Sequence, residues 1–141
     1  MTINGYYQLF DYLDSRGRNV MQDWANGLPM SQKDRSRLDL RIDLLKKEGN
    51  NLFPKMLQST RQRHIMEIAV NGRVALRPLL CHGPFAIQDE YTFLFGTVEQ
   101  NRKYVPRDAL NKAEAHRLYL IAHPRKRCKH EEFVKETEEG I

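Results

Sequence analysis

The chain has 141 residues, 40% of them hydrophobic, and a net charge of +5, which suits one domain built on one modest core. It contains no apolar run long enough to span a bilayer and no charged-then-apolar leader, so membrane insertion and secretion are not expected and the cytoplasm is the expected location. Its two cysteines, Cys81 and Cys128, lie far apart and point to free thiols rather than a disulfide framework.

In chain order, Gly5–Leu13 (GYYQLFDYL) mixes aromatic and β-preferring residues in partial alternation. It predicts a first strand at an edge or flank of the sheet, ended by the turn-like Asp14-Ser15-Arg16-Gly17. Asn19 is placed to cap a short helix over Val20–Gly27, with Val20, Met21 and Trp24 on its apolar side and Gly27 and Pro29 as its stop. Ser31 opens the next helix, and Asp34 three residues on makes a capping-box variant. Leu38, Ile42 and Leu45 form that helix's core stripe, which runs to about Gly49. Asn50–Thr60 reads as a loop in which Leu52, Phe53, Met56 and Leu57 tack onto the core around Lys55.

The centre of the chain predicts a three-strand meander over His64–Val70, Val74–Leu80 and Tyr91–Phe95. Asn71-Gly72 between two apolar runs signals a type I′ hairpin turn, because both residues accept positive φ. Period-two alternation puts Ile65, Glu67 and Ala69 on one face and Met66, Ile68 and Val70 on the other. Glu67 then needs a partner, for which Arg77 on the neighbouring strand is suited. Pro78 argues for an edge position or a bulge. The Cys81–Glu90 loop follows, and Gly96–Val105 reads as polar and irregular. Pro106 or Arg107 opens a last helix with Leu110, Ala113, Arg117 and Ile121 along one side, ended by Pro124. Residues 125–141 form a charged tail, basic first and acidic last, expected as a loosely docked helix or a disordered segment. The fold class is therefore α+β: a small antiparallel sheet with two N-terminal helices and one C-terminal helix packed on it.

Charge is concentrated in segments. Residues 31–83 carry eleven Lys/Arg against five Asp/Glu, and residues 107–130 carry seven against two, a distribution that suits either a polyanion partner or solvated helix faces. Signatures of phosphate-cradling loops, nucleophile elbows and zinc proteases are missing, so no cofactor is called for. Cys81, His82, Cys128 and His130 are chemically able to bind zinc, yet the adjacent Cys81-His82 pair has poor ligand geometry and no metal site is assigned. What is left is a basic set around the sheet: Lys55, Arg61, Arg63, His64, Arg73, Arg77, His82, Arg102, Lys103 and Tyr104. Attack by the 2′-OH of RNA on its own phosphodiester needs a base, a donor to the leaving oxygen and cations for the added charge, and these side chains can supply all three without a metal. Solvated strand ends are the plainer reading of the same residues.

Several strings in a fixed order resemble the RelE/HigB-like superfamily of toxins from bacterial type II toxin-antitoxin pairs, in particular its phage-derived HigB-like branch. They are Val20–Leu28 (VMQDWANGL), Leu52–Leu57 (LFPKML), Ile65–Leu79 (IMEIAVNGRVALRPL) and Tyr91–Arg117, and together they span roughly residues 5–124. The resemblance implies a RelE-like domain over residues 1–124 that enters the ribosome and cleaves mRNA there without a metal, held inactive by an antitoxin that is often a helix-turn-helix protein. It also implies roles: Lys55 as the loop lysine, Arg77 as the arginine of the second hairpin strand, and Arg102, Lys103 and Tyr104 as the basic turn before the last helix. On this reading His64, His82, Arg77 and Tyr104 are the catalytic candidates, and Lys55, Arg61, Arg63, Arg73, Arg102 and Lys103 bind RNA. Ala69 stands where such toxins commonly carry arginine, and Thr97-Val98-Glu99 where they usually carry lysines. These departures leave two alternatives open, a non-catalytic inhibitor of a protein target such as gyrase and a phage-derived binding protein on the same fold.

Overall fold

The structure, a computed structural model, describes residues 5–133. Among these residues the fold is α+β, with three helices and a mixed sheet of seven strands. The strands are β1 (Gln8–Tyr12), β2 (Leu57–Ser59), β3 (Met66–Ile68), β4 (Leu76–His82), β5 (Glu90–Gln100), β6 (Lys103–Val105) and β7 (Arg127–Lys129). The helices are α1 (Val20–Gly27), α2 (Gln32–Glu48) and α3 (Ala109–Ala122). The sheet order is β2-β3-β4-β5-β1-β7, with β6 also paired to β5. Membrane-spanning helices, long and apolar enough to cross a bilayer, do not occur among the described residues.

Local chemistry explains where the first two helices begin. The Asn19 side chain accepts from the Gln22 N–H, and at Ser31 both halves of the capping box form with Asp34. Leu38, Ile42 and Leu45 are buried as their spacing requires. The sheet departs from the expected small antiparallel meander. β1, expected at an edge or flank, lies one strand in from the edge, paired in parallel with β5 and antiparallel with β7. β2 and β7 come from stretches expected to be irregular. β2 is completed by hydrogen-bonding to β3, and β7 by hydrogen-bonding to β1.

β5 continues through Gly96 to Gln100 instead of ending at Phe95, and it folds back through Asn101-Arg102 into β6. Asn101 and Arg102 have φ of 52° and 63°, so the two-residue positive-φ hairpin turn lies here. Asn71 and Gly72 do not have positive φ. Val70 and Leu76 bond each other directly, so the chain between them makes a five-residue loop rather than the expected type I′ turn. Pro78 sits in an internal strand at a place where β3 is interrupted, between the Val70–Leu76 bridge and the Glu67–Leu79 pair, and just before a register shift. That gap removes the need for its missing N–H.

The register shift inserts Leu94 as an extra residue in β5, since Leu79 pairs with Phe95 and Leu80 with Phe93. Tyr91 and Phe93 therefore join the core with α1 and α2, whereas Leu94 and Phe95 join the core with α3. The two clusters mark the two faces of the sheet. Buried Ala109, Leu110, Ala113 and Leu120 seat α3 on its face, while Ile121, expected on the packed side, is exposed. Described residues of the tail are part of this packing. Phe133 is buried with the α2 side of the core, and its N–H donates to Asp39. The tail's remaining residues lie outside those described.

Candidate functional site

The α3 face of the sheet is only partly covered, and beside the start of α3 it carries a row of polar side chains. Glu67 on β3, Arg77 on β4, Glu99 on β5 and Tyr104 on β6 meet there across four neighbouring strands. Arg77 Nε lies 3.3 Å from Glu67 and 3.5 Å from Glu99, and its Nη atoms donate to the Leu76 carbonyl at 2.9 Å and to Asn71 Oδ1 at 3.0 Å. The expected pairing of Glu67 with Arg77 is thus present. The Tyr104 hydroxyl donates a short hydrogen bond to Glu67. Burial first, and then that carboxylate, push the Tyr104 hydroxyl's pKa well above its ordinary value, so Tyr104 stays protonated and acts as a donor, not a base.

Tyr104 of this row also lines a cavity of about 480 Å³, together with Thr60, Arg61, Arg102, Lys103, Arg107 and Leu110. Each cation arrives from a different feature. Arg61 comes from the loop after β2, Arg102 from the left-handed hairpin turn, Lys103 from β6 and Arg107 from the approach to α3. All four are exposed, and none forms a salt bridge among the described residues. Four unpaired cations around one cavity create a field that an anion can neutralise.

No family model, curated protein or solved structure matches the chain. Its chemistry is therefore read from the cavity.

The structure brings Arg61, Arg102, Lys103 and Tyr104 together and places other predicted residues elsewhere. His82 lies half-buried on the opposite face, its ring 4.9 Å from that of Tyr91, where burial lowers its pKa. It is too far round the sheet to serve this cavity. His64 is exposed in the loop that carries Arg61, with φ of 73°, and does not line the cavity. Arg77 is buried and held by Glu67, Glu99, the Leu76 carbonyl and Asn71, so it ties the strands together and does not line the cavity. Lys55, Arg63 and Arg73 are exposed but do not line the cavity.

Among the described residues, no cluster of three or more His, Cys, Asp or Glu is arranged to hold a metal. Cys81 faces the α3 core while neighbouring His82 faces away from it, and burial pushes the Cys81 thiol up to about 12. His130 instead bonds buried Asp11, at 2.8 Å. Arg107 lines the cavity, and Glu67 and Glu99 join the polar row beside it, although none of the three was among the predicted binding or catalytic residues. Arg107's position directly after Pro106, at the predicted helix opening, was the available signal for it.

Proposed function

We propose that the protein is an RNA-directed toxin on a RelE-like fold, with the cavity at the start of α3 taking the phosphodiester backbone of mRNA. The observation that carries this reading is the convergence of unpaired Arg61, Arg102, Lys103 and Arg107 over Tyr104. Cations without ion-pair partners neutralise successive phosphates and release their counterions. An α+β architecture with helices on both faces of the sheet is compatible with the toxin fold, and the ordered strings from α1 to α3 support the same assignment. The cognate antitoxin belongs to this reading as a partner that masks the same cations, and the ribosome as the place where mRNA is met in the cytoplasm.

In its catalytic form the reaction is metal-independent cleavage: the 2′-hydroxyl gives its proton to water as its oxygen attacks phosphorus, the bond to the 5′-oxygen breaks and that oxygen takes a proton from water, leaving a 2′,3′-cyclic phosphate, and the cavity cations offset the charge that gathers on phosphorus. One observation favours a second, non-cleaving form. No imidazole lines the cavity, Tyr104 spends its proton on Glu67, and Arg77 is held by two carboxylates. A protein built this way binds a phosphodiester more readily than it moves protons across one.

The test is purified protein on programmed 70S ribosomes beside free RNA, with the Arg61→Ala/Arg102→Gly variant as control. Glycine keeps the left-handed turn while removing the charge. Discrete ribosome-dependent cuts that vanish in the variant establish the endonuclease. RNA binding that is lost in the variant, with no cuts by either protein, establishes the non-cleaving form. Wild-type protein that neither binds nor cuts RNA overturns the proposal.

A further inference from the structure

The α2 face of the sheet holds a second cavity, of about 330 Å³, between that helix and the chain around β1 and β7. Its wall includes Tyr6, Asp39, Asp43, Lys46, His130 and Glu132. Behind His130 stands Asp11, fully buried, whose Oδ1 lies 2.8 Å from His130 Nδ1 and whose Oδ2 accepts from Asn19 at 3.0 Å. The imidazole packs on the Phe93 and Phe133 rings, and its side chain is only 6% exposed. A carboxylate accepts, so Nδ1 carries a hydrogen and Nε2 of the neutral ring is left as an acceptor. Nε2 is buried and has no hydrogen-bond partner among the described residues. Such an atom gives up its hydration and gains nothing in return, which a donor brought by a ligand would restore.

We propose that this cavity binds the primary ammonium group of a small molecule, one of whose hydrogens goes to His130 Nε2. The charge of the wall fits that class. Its described residues supply three carboxylates, Asp39, Asp43 and Glu132, against Lys46 and Lys129, although the chain as a whole carries +5. Asp39 accepts the Phe133 N–H and Asp43 pairs with Lys47 at 2.9 Å, and a carboxylate has lone pairs for more than one donor. Lys46 Nζ stands 6.0 Å from the centre of the Tyr6 ring, so the aromatic wall already attracts an ammonium. An ammonium has three hydrogens, enough for Nε2 and two carboxylate oxygens, whereas an anion brings none and is repelled by those oxygens. The volume is at the small end for ligand sites and suits an amine or an amino acid. The site lies on the face opposite the cationic cavity and is independent of the RNA reading.

The test is nuclear magnetic resonance of the full chain labelled with ¹⁵N at histidine, at about pH 8, where free imidazole is neutral and primary amines are charged. The His130 ring is assigned through its contacts with Phe93 and Phe133. At constant ionic strength the protein is titrated with n-butylammonium, with norvaline, with n-butyltrimethylammonium, which keeps the charge but has no N–H, and with butyrate. Butylammonium or norvaline is expected to move the Nε2 resonance saturably, with a Kd of about 1 mM. The quaternary analogue and butyrate are expected to bind at least about tenfold more weakly. Asp43→Asn/Glu132→Gln, at solvent-accessible positions, is expected to weaken ammonium binding about tenfold. The charge-matched control Asp23→Asn/Asp108→Asn, away from the cavity, stays within about twofold of wild type.

Norvaline bound more tightly than butylammonium assigns the site to amino acids, with the lysines taking the carboxylate, and the reverse order assigns it to simple amines. An Nε2 resonance that neither of them moves overturns the proposal. The quaternary analogue bound as tightly as butylammonium overturns the hydrogen bond to Nε2, and butyrate bound as tightly overturns the choice of an ammonium. Equal losses in the cavity variant and the charge-matched control also overturn it, since net charge then explains both.

Discussion

Gly96 shows how one residue can fix the relation between a helix and the sheet. A Cβ built there would stand 1.9 Å from Cδ2 of the Trp24 ring, so the indole of α1 lies directly on the backbone of β5. Gly96→Ala is expected to destabilise the fold by about 2–3 kcal/mol through overpacking, read as a lower midpoint in urea unfolding. A loss below about 0.5 kcal/mol would mean the ring moves aside freely. Tyr104 allows a different test. Its pKa is raised in the folded chain, so the folded state holds a proton that the unfolded chain gives up near the ordinary tyrosine pKa of about 10. The stability from that proton is complete below pH 10 and declines as pH rises further. Tyr104→Phe is expected to flatten this alkaline decline while leaving Glu67 with one donor fewer, and circular dichroism melts between pH 8 and pH 11 check it. The raised Tyr91 and Tyr12 hydroxyls keep the remaining slope.

Among the elements, the capping residues separate local from tertiary roles. Ser31 acts within its own helix, so Ser31→Ala is expected to cost about 1 kcal/mol. Asn19 caps α1 and also donates through Nδ2 to fully buried Asp11 at 3.0 Å. Asn19→Ala removes the cap and a donor to a buried carboxylate together, and about 2–4 kcal/mol is expected. Equal losses for the two substitutions would show that the Asp11 contact contributes little. β7 depends on contacts of this tertiary kind. Asp11 and His130 join β1 to the end of β7, and Arg127 lies between the Phe10 and Phe85 rings while holding Glu90 at 2.5 Å. Phe133 just beyond is buried in the α2 core, so Phe133→Ala is expected to cost about 2–4 kcal/mol, measured by thermal or denaturant unfolding. A loosely docked tail would lose almost nothing.

For the whole molecule, the basic charge matters through where the fold gathers it. Removing Arg61 and Arg102 is expected to lower the slope of log affinity for single-stranded RNA against log salt by about 1.4, with the unfolding midpoint unchanged because both side chains are exposed and unpaired. An unchanged slope would show that RNA does not use this cavity. Much of the scaffold was legible in sequence. Caps and 3.6-residue spacing located α1 and α2 almost to the residue, whereas α3 opens at Ala109, two to three residues after the expected Pro106 or Arg107 and without a side-chain cap; period-two alternation sorted Ile65 and Glu67 from Met66 and Ile68, because these signals depend on neighbours a few residues apart. β2, β7 and the far half of β5 were not legible, since short or polar strands form only when a distant strand offers its hydrogen-bonding edge. The site divides in the same way. By itself the sequence determined which residues carry positive charge and that Glu67 would need Arg77 beside it. Only the tertiary structure decided that Arg61, Arg102, Lys103 and Arg107 share one cavity and that His82 belongs to the opposite face. One extra residue in β5 and a left-handed turn at Asn101-Arg102 set which side of the sheet each group reaches, and neither leaves a local pattern strong enough to read.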